Sequence, residues 1–430
     1  MIELIKIILQ ITFIAIIFAF SFVEIKKFKF INNLNSFDKT SINIILFLNA
    51  GLIFSLIGIQ DILLFILIVL MSIFVFVKKF NNIFISNFKF QYIYLLFFII
   101  IFIISIDISY SLDLGWDAKY FWFLKTLNFY HNQNFNNLIN IPAFDYPHLG
   151  SYVWSFFWKY PFNSYEYNGR IFYAFIYCLS IFSFFYNLKI SNLLKILLIL
   201  STLLLSYEYS YFSGLQEILI FSLILISAKL SILFFEEKNK NNRIFLLLIL
   251  LGISNITFWI KLEGFILMSI LIVCLNICFK TNVKEKSISL IGLIFIIFFK
   301  IIILANFKTE LSSFEFEETF YNNNFSNLLE DVKIIFYYLF IYITQVPLFI
   351  ICLIAFMITF FINKSNDNIK KFVTIYAILN ILFIFVSFLF TMEDVEWQSR
   401  VGMKRVLFET SGFYLITIAY LLKKNKNIFK

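Results

Sequence analysis

The chain has 430 residues, of which 61% are hydrophobic and 14% charged, against roughly 45–50% and about 25% in an ordinary soluble domain. A water-soluble fold of this length cannot hide so much apolar surface, so lipid must be the solvent for most of it. The formal net charge of +9 is explained below by membrane topology and does not call for a nucleic-acid partner.

The opening run, MIELIKIILQITFIAIIFAFSFV, lacks a basic start and a small-residue cleavage site and is longer than a signal-peptide apolar region. It reads as a retained first helix. Runs of roughly 17–25 mostly apolar residues then recur near 41–59, 62–77, 91–109, 168–187, 191–207 and 213–235. Six more follow near 244–260, 264–279, 287–304, 333–362, 372–390 and 406–422. The run at 333–362 is long enough to hold an interfacial helix before its span. Cys178, Cys274, Cys278 and Cys352 all fall inside apolar runs, with no second pair at metal spacing, and read as core filler.

The fold expected is therefore an all-α polytopic membrane protein of about 11–13 transmembrane helices, with a large extracytoplasmic loop carrying interfacial helices. No segment is polar enough for a separate soluble domain. The whole chain, 1–430, reads as one integral-membrane domain: N-terminal helices in 1–109, the loop in 110–167 and a remaining bundle in 168–430.

Alternate breaks are lysine-rich: Lys26, Lys27, Lys29 and Lys39; Lys78, Lys79 and Lys89; Lys189; Lys238, Lys240 and Arg243; Lys280, Lys284 and Lys286; Lys364, Lys370 and Lys371; Lys423, Lys424, Lys426 and Lys430. The intervening breaks are acidic or mixed, as at Glu310, Glu315, Glu317, Glu318, Glu330 and Asp331. The positive-inside rule makes the lysine-rich set cytoplasmic. The breaks at 110–167, 208–212, 261–263, 305–332 and 391–405 then share the extracytoplasmic face.

The loop at 110–167 holds both histidines (His131, His148), three of the four prolines (Pro142, Pro147, Pro161) and four of the six tryptophans (Trp116, Trp122, Trp154, Trp158). Trp and Tyr favour the membrane interface. Trp116, Tyr120 and Leu124 recur at helical spacing, which predicts an interfacial helix starting near Asp117. A carboxylate there sits at a helix N-terminus, where it is favoured as an anion. Anchoring alone also accounts for such a composition.

At GWDAKYFWFLK and FDYPHLGSYVW the chain resembles the GT-C class of integral-membrane glycosyltransferases, in particular bacterial relatives of protein mannosyltransferases and of lipid A aminoarabinose transferases. The resemblance implies a polyprenyl-phosphate-linked sugar donor, a lipid, glycan or protein acceptor, and an essential Asp near the start of the first large extracytoplasmic loop, in a bacterial inner membrane. Asp117 matches that acid, while Asp145, Tyr146 and Pro147 match the DYP element that follows. WIKLEG, with Lys261 and Glu263, is similar to the family's K-x-E-G segment. The chain departs from the family in placing three helices before the one that leads into the loop.

Sugar transfer from a lipid phosphate needs a base for the acceptor proton and cations for the departing phosphate. Asp117 is the candidate base, with helix N-capping as its structural alternative. Asp145 either orients the acceptor, shares a metal or forms a turn before Tyr-Pro. Trp116, Tyr146 and His148 are candidate substrate contacts. Lys119, Lys125, Lys261, Arg400 and Arg405 are candidate phosphate cations, although Lys261 and Glu263 can simply pair with each other. Arg170 reads as a lipid-headgroup anchor. Glu217, one turn inside a predicted span, is a functional candidate because ionisable groups there are costly. No cofactor is assigned; a hard divalent cation on Asp117 and Asp145 is compatible with their chemistry. The alternatives are a transporter or flippase of lipid-linked glycans and a polymerase or ligase of such glycans, with membrane lipid as surroundings in every case.

Overall fold

A computed structural model of the chain describes residues 2–20, 34–77, 92–306 except 143, 145, 164 and 280, 328–362, 367–390, 394–422 and 428–429. Lys26, Lys27, Lys29, Lys78, Lys79, Lys89, Lys280, Lys364, Lys423, Lys424, Lys426 and Lys430, all used for orientation, lie outside these residues, as do Glu310, Glu315, Glu317, Glu318 and Asp145. Among the described residues every regular element is a helix. The helices are α1 (Ile2–Phe20), α2 (Ser36–Ile57), α3 (Gln60–Val77), α4 (Tyr92–Tyr110), α5 (Phe123–Tyr130), α6 (Leu149–Lys159), α7 (Tyr167–Tyr186), α8 (Asn192–Ser206) and α9 (Tyr209–Phe212). There follow α10 (Glu217–Glu236), α11 (Lys240–Ile260), α12 (Leu262–Cys278), α13 (Val283–Asn306), α14 (Leu328–Gln345), α15 (Pro347–Ile362), α16 (Asn368–Leu389) and α17 (Val395–Leu421).

Each predicted apolar run falls on a helix, and the run at 333–362 falls on two, α14 and α15, bent by 99° at Val346. Seven described helices are long and apolar enough to cross a membrane, namely α2, α4, α7, α10, α11, α13 and α16, or eight if the bent pair is one span. The count is of the described residues alone, against 11–13 expected for the whole chain. Helices outside it differ in the physical reason: α8 and α12 have only 15 and 17 residues, and the first half of α17 carries Glu396, Arg400, Lys404 and Arg405. The four cysteines are all buried and free.

Helix ends follow local chemistry. Asn35, Ser191 and Asp394 accept backbone N–H bonds from the first turns of α2, α8 and α17, as N-cap side chains do. Gly58 ends α2 in the left-handed conformation, φ 78°, which costs glycine nothing.

The chain divides into two compact units, the first made of residues 1–187 and 208–222, the second of 188–207 and 223–430. The loop 110–167 belongs wholly to the first. In that unit α7 is the axis: every residue from Tyr167 to Phe185 is buried, packed by α1, α2, α4 and α6. Phe157 of α6 stacks on Phe172 of α7 at 4.6 Å between ring centres. Asp38, buried in α2, accepts from Ser183 Oγ at 2.7 Å and Asn187 Nδ2 at 3.2 Å, so a buried charge is held by hydrogen bonds from α7 and the residue that follows it. In the second unit α12 packs on α11 and α16, while α14 and α15 pack on α17.

Candidate functional site

In the first unit the loop is largely helical. Its helix begins at Trp116, as the spacing of Trp116, Tyr120 and Leu124 predicts, but residues Ala118–Trp122 form a π-helical stretch in which the Phe123 N–H bonds to the Ala118 carbonyl. Such stretches insert one residue into a turn and occur often at functional sites. The Trp122 carbonyl at its end accepts from Ser151 Oγ at 2.9 Å and Thr126 Oγ1 at 2.8 Å.

The GWDA segment is docked on the chain that follows α9. The Gly115 N–H donates to the Ser213 carbonyl at 2.9 Å. A Cβ on Gly115 would stand 2.9 Å from Ser213 Oγ and 3.2 Å from Leu215, a close approach that an added methyl would disturb only through side-chain ends. Gly214 has φ 91°, and a Cβ there would lie 2.5 Å from the Trp154 ring and 3.0 Å from Ala118 Cβ. The Gly115–Ala118 and Ser213–Leu215 segments therefore lie on each other, over Trp154.

Asp117 is half-buried. Its backbone is helical and its side chain caps no N–H of the π-helical stretch, so it does not play the N-cap role weighed as the alternative to catalysis. Around it Trp116 is 65% exposed, and Lys119 and Tyr120 are exposed. The rings of Trp116 and Tyr120 are 5.0 Å apart, and those of Trp116 and Phe121 5.5 Å.

The DYP element is fastened to the same helix. Lys125, fully buried, donates from Nζ to the Tyr146 carbonyl at 2.5 Å and the Phe144 carbonyl at 3.5 Å. These carbonyls flank Asp145, which itself lies outside the described residues. The exposed Tyr146 ring is 5.4 Å from Phe121 and 6.0 Å from Trp122. Two elements separated by some thirty residues, GWDA and DYP, are thus joined through Lys125 and an aromatic wall. Lys125, expected as a phosphate cation, is a clamp.

His148 is a core residue, 1% exposed. Its Nε2 is 2.7 Å from Ser55 Oγ, and its ring packs against Phe129 and Phe135. That burial leaves it no route to a substrate at the surface.

Arg170 corrects the reading as a lipid anchor. It is fully buried, and it meets the Glu166 carboxylate through Nε at 2.8 Å and Nη2 at 2.9 Å. Its Nη1 donates to the Phe212 carbonyl at 3.2 Å. Burial pushes the Glu166 carboxyl above its ordinary value, against the opposing pull of the guanidinium. A two-pronged pair of this kind fixes direction as well as charge. Arg170 holds Phe212, and the next carbonyl, Ser213, receives Gly115. Glu217, 2% exposed, begins α10 just beyond. Its neighbour Gln216 donates to Tyr173 Oη at 3.2 Å.

The second unit holds a separate set of charges. Lys261 stands alone between α11 and α12 in extended conformation. Its Nζ lies 2.8 Å from Glu409 of α17 and 3.5 Å from Glu263. Glu409 is fully buried, whereas Glu263 is about one-third exposed. Lys300 of α13 donates to the Phe258 carbonyl at 3.1 Å and lies over the Phe258 ring at 3.9 Å, where a cation faces the negative end of α11. Arg405 is half-buried one turn before Glu409, and Arg400 is exposed. Glu409 and Lys300 escaped the sequence reading, although an ionisable residue inside an apolar run is the signal that finds both.

Among the described residues no group of three or more His, Cys, Asp or Glu side chains could hold a metal ion.

The class of protein that these observations define is a polytopic α-helical membrane protein with a helical, aromatic-walled loop in its first unit. Comparison with protein-family models, with curated proteins and with solved structures finds no match.

Proposed function

We propose that the chain is a membrane glycosyltransferase of the GT-C type. It moves a sugar from a polyprenyl-phosphate-linked donor to a hydroxyl of a lipid, glycan or protein acceptor, on the extracytoplasmic face of a bacterial inner membrane. The observation that carries this reading is the setting of Asp117: a half-buried carboxylate, not used to cap its helix, immediately before a π-helical turn and beside exposed Trp116, Lys119 and Tyr120. A base must reach the acceptor proton at about 2.6–3.2 Å, and a carboxylate at such a rim is reachable where one inside the core is not. Lys119 on the same turn supplies a point charge for a phosphate oxygen. The GWDA and DYP resemblance supports the choice of chemistry, and the lysine-rich breaks support the choice of face.

The alternative reading, transport of such glycans, requires the bent pair at Val346–Pro347 to be one discontinuous span, which the surface placement of α14 argued below excludes.

The test is transfer from labelled polyprenyl-phosphate sugars by the purified protein in liposomes. Loss of a general base costs roughly 10²–10⁴-fold, so Asp117→Asn should lose transfer by at least about a hundredfold, with Asp145→Asn run alongside. Full transfer by Asp117→Asn would remove Asp117 from the mechanism. Donor crossing the bilayer unconsumed by the wild type would establish transport instead.

A further inference from the structure

We propose that α14 is a surface helix of the bilayer, lying along the boundary between headgroups and acyl chains, with membrane lipid as the partner of its outer face. The inference rests on the geometry of the second unit and is independent of the enzymatic reading.

Three observations carry it. First, α14 and α15 are bent by 99°. The sequence of α15, PLFIICLIAFMITFFI, carries no charge, so α15 is the member of the pair suited to the bilayer core. Transmembrane helices tilt by about 20° on average; a partner bent by 99° then lies within about 30° of the membrane plane, and it cannot also span.

Second, the exposed residues in the body of α14 form one stripe, with Leu328, Glu330 and Gln345 exposed besides at its ends. Leu329, Lys333, Phe336, Tyr337, Phe340 and Thr344 are exposed at steps of four, three, one, three and four residues, which is the spacing of a single helical face. Leu329 is 75% and Phe340 74% exposed. Ile335, on the opposite side, is fully buried. A stripe of one leucine and three aromatic rings with one lysine and one threonine is wrong for water. It is right for the acyl boundary, where aromatic rings settle and a lysine extends its amine to the headgroups.

Third, the inner side of α14 is tied to α17. Tyr338 Oη donates to Glu396 at 3.1 Å and Tyr342 Oη to the Arg400 carbonyl at 2.7 Å. The charged first turns of α17 are thereby held at the level of the surface helix. Glu330 and Asp331 in its first turn stay in the headgroup zone in this arrangement.

The experiment places nitroxide labels on Leu329→Cys, Phe336→Cys and Phe340→Cys, and on Ile354→Cys and Phe361→Cys of α15, in the full chain in liposomes. All five positions are exposed, and wild type treated with the same label controls for the buried native cysteines. Depth is read from collision with oxygen against a water-soluble nickel complex. A rise of 1.5 Å per residue separates Leu329 from Phe340 by about 16 Å along the axis. In a surface helix the three α14 labels favour oxygen and differ in depth by less than about 8 Å, while the α15 pair differs by about 10 Å. Depth increasing by about 15 Å along α14 would make it a span and overturn the proposal. Preference for nickel at all three positions would place the face in water. Shielding from both reagents would place it against protein. Either result rejects lipid as the partner.

Discussion

Lys125 is fully buried, and its ammonium donates to the Tyr146 carbonyl at 2.5 Å. A charge that is costly to bury is thereby spent on main-chain acceptors on both sides of position 145. Replacing it by methionine keeps the stem and leaves these carbonyls without their donor, a loss of about 1–3 kcal/mol. Lys125→Met should therefore lower the melting temperature in detergent. It should also open the 141–147 segment to limited proteolysis before global unfolding; unchanged cleavage there would show that the clamp is dispensable.

The two glycines should not respond alike to alanine. At Gly214 the methyl meets the Trp154 ring at 2.5 Å on a backbone with φ 91°, combining overpacking with left-handed strain of order 1–3 kcal/mol. At Gly115 the nearest atom is the end of a serine side chain, which can rotate away. Thermal unfolding of both variants should rank Gly214→Ala well below Gly115→Ala, and the reverse order would mean that Trp154 yields more easily than Ser213.

Arg170→Gln breaks a buried ion pair and removes a donor to Phe212. The expected loss is about 3–5 kcal/mol. Adding Glu166→Gln should restore part of it, because the buried carboxylate is then no longer left without its cation. A double variant less stable than Arg170→Gln alone would contradict the pairing.

For Lys261 the two acids are unequal. Glu409→Gln should destabilise by about 3–5 kcal/mol, since it leaves a nearly buried ammonium without its closest anion. Glu263, farther away and partly in solvent, should contribute under about 1 kcal/mol. A double-mutant cycle between Lys261→Met and each acid measures this directly; equal coupling to both would refute the ranking.

The sequence made the helices legible because apolar runs have nowhere to go but into lipid as helices, and each run found one. The concentration of Trp, Pro and His marked the loop, and only the resemblance to the GT-C class paired GWDA with DYP. It did not reveal what Lys125, Arg170 and Glu409 do. Their partners are main-chain carbonyls, or side chains as far as 148 residues away, and hydropathy registers that a charge is misplaced without saying what compensates it. His148 misled for the opposite reason: it stands beside a polar motif, but as the residue before α6 it is turned inward onto Phe129, Phe135 and Ser55.

The π-helical stretch between Asp117 and Lys125 acts as a phase shifter. A regular α-helix turns about 100° per residue, so the faces presented by its two ends are locked together by arithmetic. One surplus residue in the turn breaks that lock. The upstream end takes the azimuth set by Ser213, while the downstream end takes the one set by Tyr146. Deleting a single residue within Ala118–Trp122 would restore the regular winding and rotate one end out of register, so the two docking partners could no longer both be met.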